Sequence, residues 1–267
     1  MSKYLSDLEA KDAICLIGRK MYERGFVNGN DGNITVRVGD NVLIATPSGV
    51  SKGDLTHDML LKVDFDGNIL ENPGNYKVTS EINMHLMVYK HNPAMKATCH
   101  AHPFYLSSFA TAGIEVDLSS IPASVLLVGK IPVAPYRCAG TMGLAESVIP
   151  YVNKYNIVNL GNHGPLTWGT TPMEAWFRLE EAESSCKLAV MTKYTLGRVR
   201  PLSRAQYEEL MSFHHVPLAP EAQVSAPETT DNGEPAIPFT QLPDPAVRLS
   251  DDQLERLADM VVERLKK

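Results

Sequence analysis

Residues 95–112 read MKATCHAHPFYLSSFATA, and the change of character in the middle of this stretch decides the fold. Met95 to His102 reads as a strand, and Pro103 to Ala112 reads as a helix that begins at a proline. Similar alternation extends to both sides. Upstream, Ile82 to His91 has helical spacing, and Asn33 to Val38 and Val42 to Thr46 are strands joined through Gly39, Asp40 and Asn41 in hairpin fashion. Leu5 to Arg24 is an amphipathic helix opened by a capping box, Ser6 with Glu9. Downstream come a helix from about Met142 to Tyr155, a strand pair around Asn162, His163 and Gly164, and a long helix from Pro172 to about Tyr194. No internal repeat is present. The pattern predicts a mixed α/β domain with a central, largely antiparallel sheet flanked by helices.

Composition sets the outer bounds. The chain has 267 residues, 44% of them hydrophobic and 21% charged, which suits one globular domain with an appendage and excludes wholesale disorder. Its net charge of -6 lacks the basic footprint that nucleic-acid binding requires. No apolar run approaches the roughly 20 residues of a membrane span. The start, MSKYLSDLEAKDA, has no apolar signal region, so a cytoplasmic location is expected. Cys15, Cys99, Cys138 and Cys186 are isolated, so reduced thiols are expected rather than a zinc ribbon or redox pair.

The sequence divides into residues 1–216, a proline-rich linker at 217–248, and a terminal segment at 249–267. In that last segment Leu254, Leu257, Val261 and Leu265 recur at helical spacing, with charges opposite. Ser250 and Gln253 form a capping box, Asp251 and Asp252 suit the helix's positive end, and Lys266 and Lys267 suit its negative end.

The chemistry concentrates in a few places. Side chains alternate along a strand, so His100 and His102 project to one face, where two imidazoles can share a metal ion. His163 lies in a Gly-flanked turn within LGNHGP, and Glu81 opens a helix after Thr79 and Ser80. Three histidines and a carboxylate suit a divalent metal, with Glu81 as a base or a fourth ligand. Two histidines two residues apart also arise by chance. A second group of residues, Gly32-Asn33, Thr46-Pro47-Ser48-Gly49 and Thr79-Ser80, is small and rich in donors, which suits an anion such as phosphate. Ordinary turn and capping chemistry accounts for each of these alone. His57, His85 and His91 read as exposed or capping histidines, Trp168 and Trp176 as core, and Cys99 as a buried thiol.

Taken in order, GNDGNITVRV, ATPSGV, KVTSEINMH, ATCHAHP and LGNHGPLTWG resemble the class II aldolase and adducin family, and most closely its bacterial L-fuculose-phosphate aldolase branch, over about residues 5–213. The resemblance implies a zinc enzyme, a homotetramer with sites between subunits, and a phosphorylated sugar as substrate. By position, His100, His102 and His163 match the zinc ligands. Glu81 matches the carboxylate that binds zinc at rest and serves as acid or base, while Asn33, Ser48, Gly49, Thr79 and Ser80 match the phosphate cradle. The implied reaction cleaves a deoxyketose 1-phosphate, such as L-fuculose or L-rhamnulose 1-phosphate, to dihydroxyacetone phosphate and lactaldehyde. Other activities of the family (4-epimerase, dehydratase, decarboxylase) and a non-catalytic adducin-like role are the alternatives.

Two departures concern the aldehyde half. The tyrosine that the aldolases carry in the segment equivalent to 121–126 is replaced, with Leu126 in its place, and an aromatic near Arg137 to Gly140 is missing. Tyr136 and Tyr207 are candidate substitutes, or else packed surface tyrosines. The terminal segment resembles the encapsulation peptides of bacterial microcompartments, which implies a shell protein as partner for residues 249–267. Docking on its own oligomer is the alternative.

Overall fold

The computed structural model describes residues 3–216 apart from 198, together with residues 219–224 and 226. The rest of the linker and the terminal segment 249–267 lie outside the described residues. In chain order the elements are α1 (Asp7–Glu23), β1 (Asn33–Gly39), β2 (Val42–Ala45), β3 (Leu61–Asp64), β4 (Ile69–Glu71), α2 (Ile82–His91) and β5 (Ala97–His100). They continue as α3 (Phe104–Ala112), α4 (Pro122–Leu127), β6 (Val133–Ala134), α5 (Met142–Ser147), α6 (Ile149–Val152), β7 (Ile157–Leu160), β8 (Pro165–Gly169), α7 (Pro172–Ala189) and α8 (Arg204–His214).

The strands form one sheet in the order β4-β3-β2-β1-β5-β8-β7-β6. Every pairing is antiparallel except β6 with β7. The expected mixed fold with a largely antiparallel sheet is therefore the one observed. Helices cover both faces. On one side Ile14, Ile17 and Met21 of α1 and Trp176, Leu179 and Cys186 of α7 pack against Ile34, Val36 and Cys99. On the other, Met84 and Val88 of α2 and Leu144 of α5 meet Val158, Leu166 and Trp168. Trp168, Trp176 and Cys99 are buried as the sequence suggested.

Three boundaries differ from the sequence expectation. β5 spans only Ala97–His100, so His102 lies beyond its end, where the amide of His102 bonds the Phe26 carbonyl (2.9 Å) and Pro103 ends any ladder. The helix expected over 142–155 is two short helices, because Pro150 near the start of α6 cannot supply an amide to the preceding turn. Residues 219–224 of the linker are docked rather than extended. Residues 220–222 form one 3-10 turn, Ala222 and Val224 are buried, and the Lys130 amide bonds the Ala222 carbonyl at 2.9 Å.

Candidate metal and phosphate site

β1 and β5 run antiparallel with Asn33 opposite His100, Ile34 opposite Cys99 and Thr35 opposite Thr98. Alternation then splits the ladder. Ile34 and Cys99 enter the apolar layer under α1 and α7, while Asn33, Thr35, Thr98 and His100 are buried polar residues. Glu81 is the residue before α2, and β8 begins at Pro165 just after the β7–β8 turn that carries His163. Loops and strand ends thus converge on one point.

The geometry there is tight. The Nε2 atoms of His100 and His102 lie 3.1 Å apart, and the three ring centres of His100, His102 and His163 are 4.7 to 4.9 Å from one another. Their ligand atoms all fall within 4.8 Å. Glu81 faces the trio, with Oε2 at 3.4 Å from His100 Nε2 and Oε1 at 3.5 Å from His163 Nε2. Although His102 sits past the strand, it still reaches the cluster.

The rings are set up as ligands. His100 is fully buried, and its Nδ1 donates to the Pro165 carbonyl (2.9 Å), which leaves Nε2 as the bare nitrogen aimed at the cluster. Burial, reinforced by the neighbouring His102 and His163, holds its pKa well below the usual histidine range. Burial also lowers that of His163, against the pull of Glu81. Neutral imidazoles are the form that binds metal. His102 directs its other nitrogen, Nδ1, toward Asp31 Oδ2 at 3.3 Å, a carboxylate backing that no local pattern in the chain announces.

Glu81 is asymmetric. Its Oε2 accepts from Asn33 Nδ2 at 2.8 Å, whereas its buried Oε1 has no hydrogen-bond partner. A buried carboxylate oxygen without a donor, 3.5 Å from an imidazole, is costly unless something positive sits beside it. The donor set therefore fits a divalent cation held by His100, His102, His163 and Glu81.

The anion-binding candidates come together beside it. The Thr46 amide bonds the Ile34 carbonyl (3.1 Å), the Ser48 amide bonds the Lys77 carbonyl (2.8 Å) and the Thr79 amide bonds the Thr46 carbonyl (3.2 Å). These bonds lay 33–34, 46–48 and 77–79 side by side. Ser48, Gly49 and Ser80 are exposed, while Asn33 and Thr79 are buried, with Asn33 turned to Glu81. Gly32 has a φ of 76°, and a Cβ there would stand 2.9 Å from the His100 carbonyl and 2.7 Å from Val27, so glycine is required where this loop crosses the ligand strand. Buried Lys52 ties the neighbouring loops, donating to the carbonyls of Asn30 (2.9 Å) and Val50, and burial lowers its pKa to about 8.

His85 corrects the sequence expectation. It is neither exposed nor capping but fully buried, with Nε2 bonded to Asn33 Oδ1 and Nδ1 to Thr98 Oγ1, and burial pushes its pKa down to about 3. Its position four residues after Glu81, on the same helix face, was the available signal. Of the substitute tyrosines, Tyr136 is exposed, and the Tyr207 hydroxyl is buried without a hydrogen-bond partner. Leu126 is half-buried on α4.

Comparison with known proteins agrees with this geometry. Residues 12–190 match the family model of the class II aldolase and adducin N-terminal domain. The 3-oxo-tetronate 4-phosphate decarboxylase of Haemophilus influenzae is 35% identical over 188 residues, 69% of this chain and 88% of that protein. The L-fuculose phosphate aldolase of Methanococcus maripaludis is 34% identical over 172 residues, 64% of this chain and 91% of that protein. Among solved structures, YgbL of Klebsiella pneumoniae superposes with a TM-score of 0.70 at 29% identity, covering 77% of this chain and 99% of the other. An L-fuculose 1-phosphate aldolase superposes with a TM-score of 0.71 at 25% identity, covering 80% of this chain and all of the other. The chain belongs to the class II aldolase and adducin family.

Proposed function

We propose that this chain is a zinc-dependent lyase that breaks a carbon–carbon bond in a phosphorylated sugar, cleaving a deoxyketose 1-phosphate such as L-fuculose or L-rhamnulose 1-phosphate to dihydroxyacetone phosphate and lactaldehyde. One observation carries the reading: the buried Oε1 of Glu81, free of hydrogen-bond partners, stands beside three clustered histidines and next to a row of exposed donor residues. A divalent cation held by His100, His102, His163 and Glu81 would supply Lewis acidity toward the negative charge of the enediolate that cleavage leaves. Gly49 and Ser80 offer amides, and Ser48 and Ser80 hydroxyls, to the substrate phosphate from solvent-facing turns, with Thr79 and Asn33 behind them. Glu81 holds one oxygen on Asn33 and moves the proton at the carbon of the cleaved bond with the other.

A second reading is decarboxylation of a phosphorylated 3-oxo sugar acid, the activity named for the Haemophilus influenzae relative. It shares the enediolate but releases carbon dioxide, so no hydroxyl proton has to leave. Leu126, in the segment that carries the aldolases' tyrosine, favours it. Incubating the zinc-loaded protein with L-fuculose 1-phosphate, L-rhamnulose 1-phosphate and 3-oxo-tetronate 4-phosphate separates the two. Dihydroxyacetone phosphate from a ketose phosphate supports the aldolase, carbon dioxide release alone supports the decarboxylase, and full activity after chelation sinks both.

Two further elements belong to the proposal: assembly as a homotetramer, and binding of a microcompartment shell protein by residues 249–267 through Leu254, Leu257, Val261 and Leu265. Fusing that segment to a fluorescent protein in shell-producing cells tests the latter, and diffuse fluorescence counts against it.

A further inference from the structure

We propose that His85 is a positioning residue for the metal site, acting through Asn33 to hold Glu81 with one oxygen engaged and the other free. The inference rests on the site reading above, and it follows from donors and acceptors. A carboxylate only accepts, so Asn33 must turn its NH2 to Glu81 Oε2 (2.8 Å) and its carbonyl oxygen to His85. Nε2 of His85 therefore carries the proton. In a neutral ring Nδ1 is then an acceptor, and the Thr98 hydroxyl donates to it. Thr98 in turn accepts from the Thr35 hydroxyl at 2.6 Å, and the Tyr89 hydroxyl donates to Thr35, at Oγ1 (2.7 Å) and at the carbonyl (3.1 Å).

The result is a buried chain with one direction, Tyr89 to Thr35 to Thr98 to His85 to Asn33 to Glu81. Its members Thr35, His85 and Thr98 are fully buried, Tyr89 is 1% exposed and Asn33 5%, so water does not compete for these protons. His85 bonds neither the histidine cluster nor Glu81; it fixes which end of the Asn33 amide faces the carboxylate. Without that constraint the amide can flip, present its oxygen to Glu81 and repel it. The same bond leaves Oε1 as the unpartnered oxygen.

The test is Co2+ affinity of the full chain, measured by chelator competition and by the visible absorption of the bound ion, with no substrate present. Outer-shell partners of metal ligands are worth about 10- to 100-fold in affinity. His85→Phe is expected to weaken Co2+ binding at least about tenfold and to shift the spectrum, while His85→Gln, whose amide nitrogen can replace Nε2–H, recovers most of the loss. In an Asn33→Ala background His85→Phe should add nothing further, because the two act in series. Equal losses in both backgrounds, or wild-type affinity in folded His85→Phe, overturn the proposal. Should His85→Phe fail to fold, near-isosteric Thr98→Val makes the same test by releasing the tautomer, and unchanged affinity there overturns it equally. Because Co2+ binding is read without turnover, the result stands whichever lyase activity the chain proves to have.

Discussion

The histidine cluster and the anion-binding loops meet at Asn33 and Glu81, yet they are built in opposite ways. His100 is locked on a strand flanked by β1 and β8, fully buried, with its ring pinned to a backbone carbonyl. Ser48, Gly49 and Ser80 are exposed and sit in turns held by main-chain bonds. A cation needs side-chain atoms at fixed short distances, and the end of a buried strand with the tightly bonded loops beside it provides them. An anion can be held by amides that any residue supplies, so there backbone shape matters more than side chain. Side-chain replacements should therefore damage the first region most, and backbone changes the second.

The largest effect is expected at the cluster. His102→Ala removes one of three imidazoles and should strip both metal and activity, read as metal per chain and product formed. Retention of full metal and turnover would remove His102 from the ligand set. Next comes Glu81→Gln, which keeps the shape and the Asn33 contact region but loses the charge. Metal affinity should fall, as for His85→Phe, but at saturating metal the site still fills and substrate still binds while turnover falls by about two to four orders of magnitude. Parallel loss of metal and turnover would make Glu81 mainly a ligand. Across the divide, Gly49 has a φ of 77°, and a Cβ placed on it would meet nothing within 4 Å, so Gly49→Ala adds backbone strain without a clash. Strain of about 1 kcal/mol in that turn should raise KM several-fold with metal content unchanged. A fall in kcat at constant KM would place Gly49 outside the phosphate cradle.

The same contrast explains how much was legible in the chain itself. The sheet, its flanking helices and the paired histidines could be read because strand and helix periods and short motifs are local. Strand alternation is not what brings His102 to the cluster: it reaches the cluster from beyond the strand end, held by its bond to Phe26. His85 escapes a local reading because its burial depends on α2 packing across Thr35, on a strand far back in the chain, and Thr98, on the strand that follows α2. Asp31 had no local signal at all, since only the fold brings it to His102. Docking of residues 219–224 was hidden by their composition, which is that of a linker, while the contact that orders them is made by Lys130.

The smallest effect is thermodynamic and also sets the two regions apart, because Ser48, Gly49, Thr79 and Ser80 of the anion-binding turns carry no group that titrates near neutrality. His85 has a pKa of about 3 in the folded chain against an ordinary value of 6.5, chiefly through burial and secondarily through His100. Between these values the unfolded chain binds one more proton at this site than the folded chain. Stability attached to His85 is thus fully present above about pH 6.5 and declines as pH falls, by about 1.4 kcal/mol per pH unit. His100 is shifted in the same direction and adds to the slope. In chelated protein the urea midpoint should therefore drop between about pH 7 and pH 5, and His85→Gln should make that drop shallower by about one proton. A slope unaltered by His85→Gln would show that the acid sensitivity arises elsewhere, and that the buried ring is not the neutral link its hydrogen bonds require.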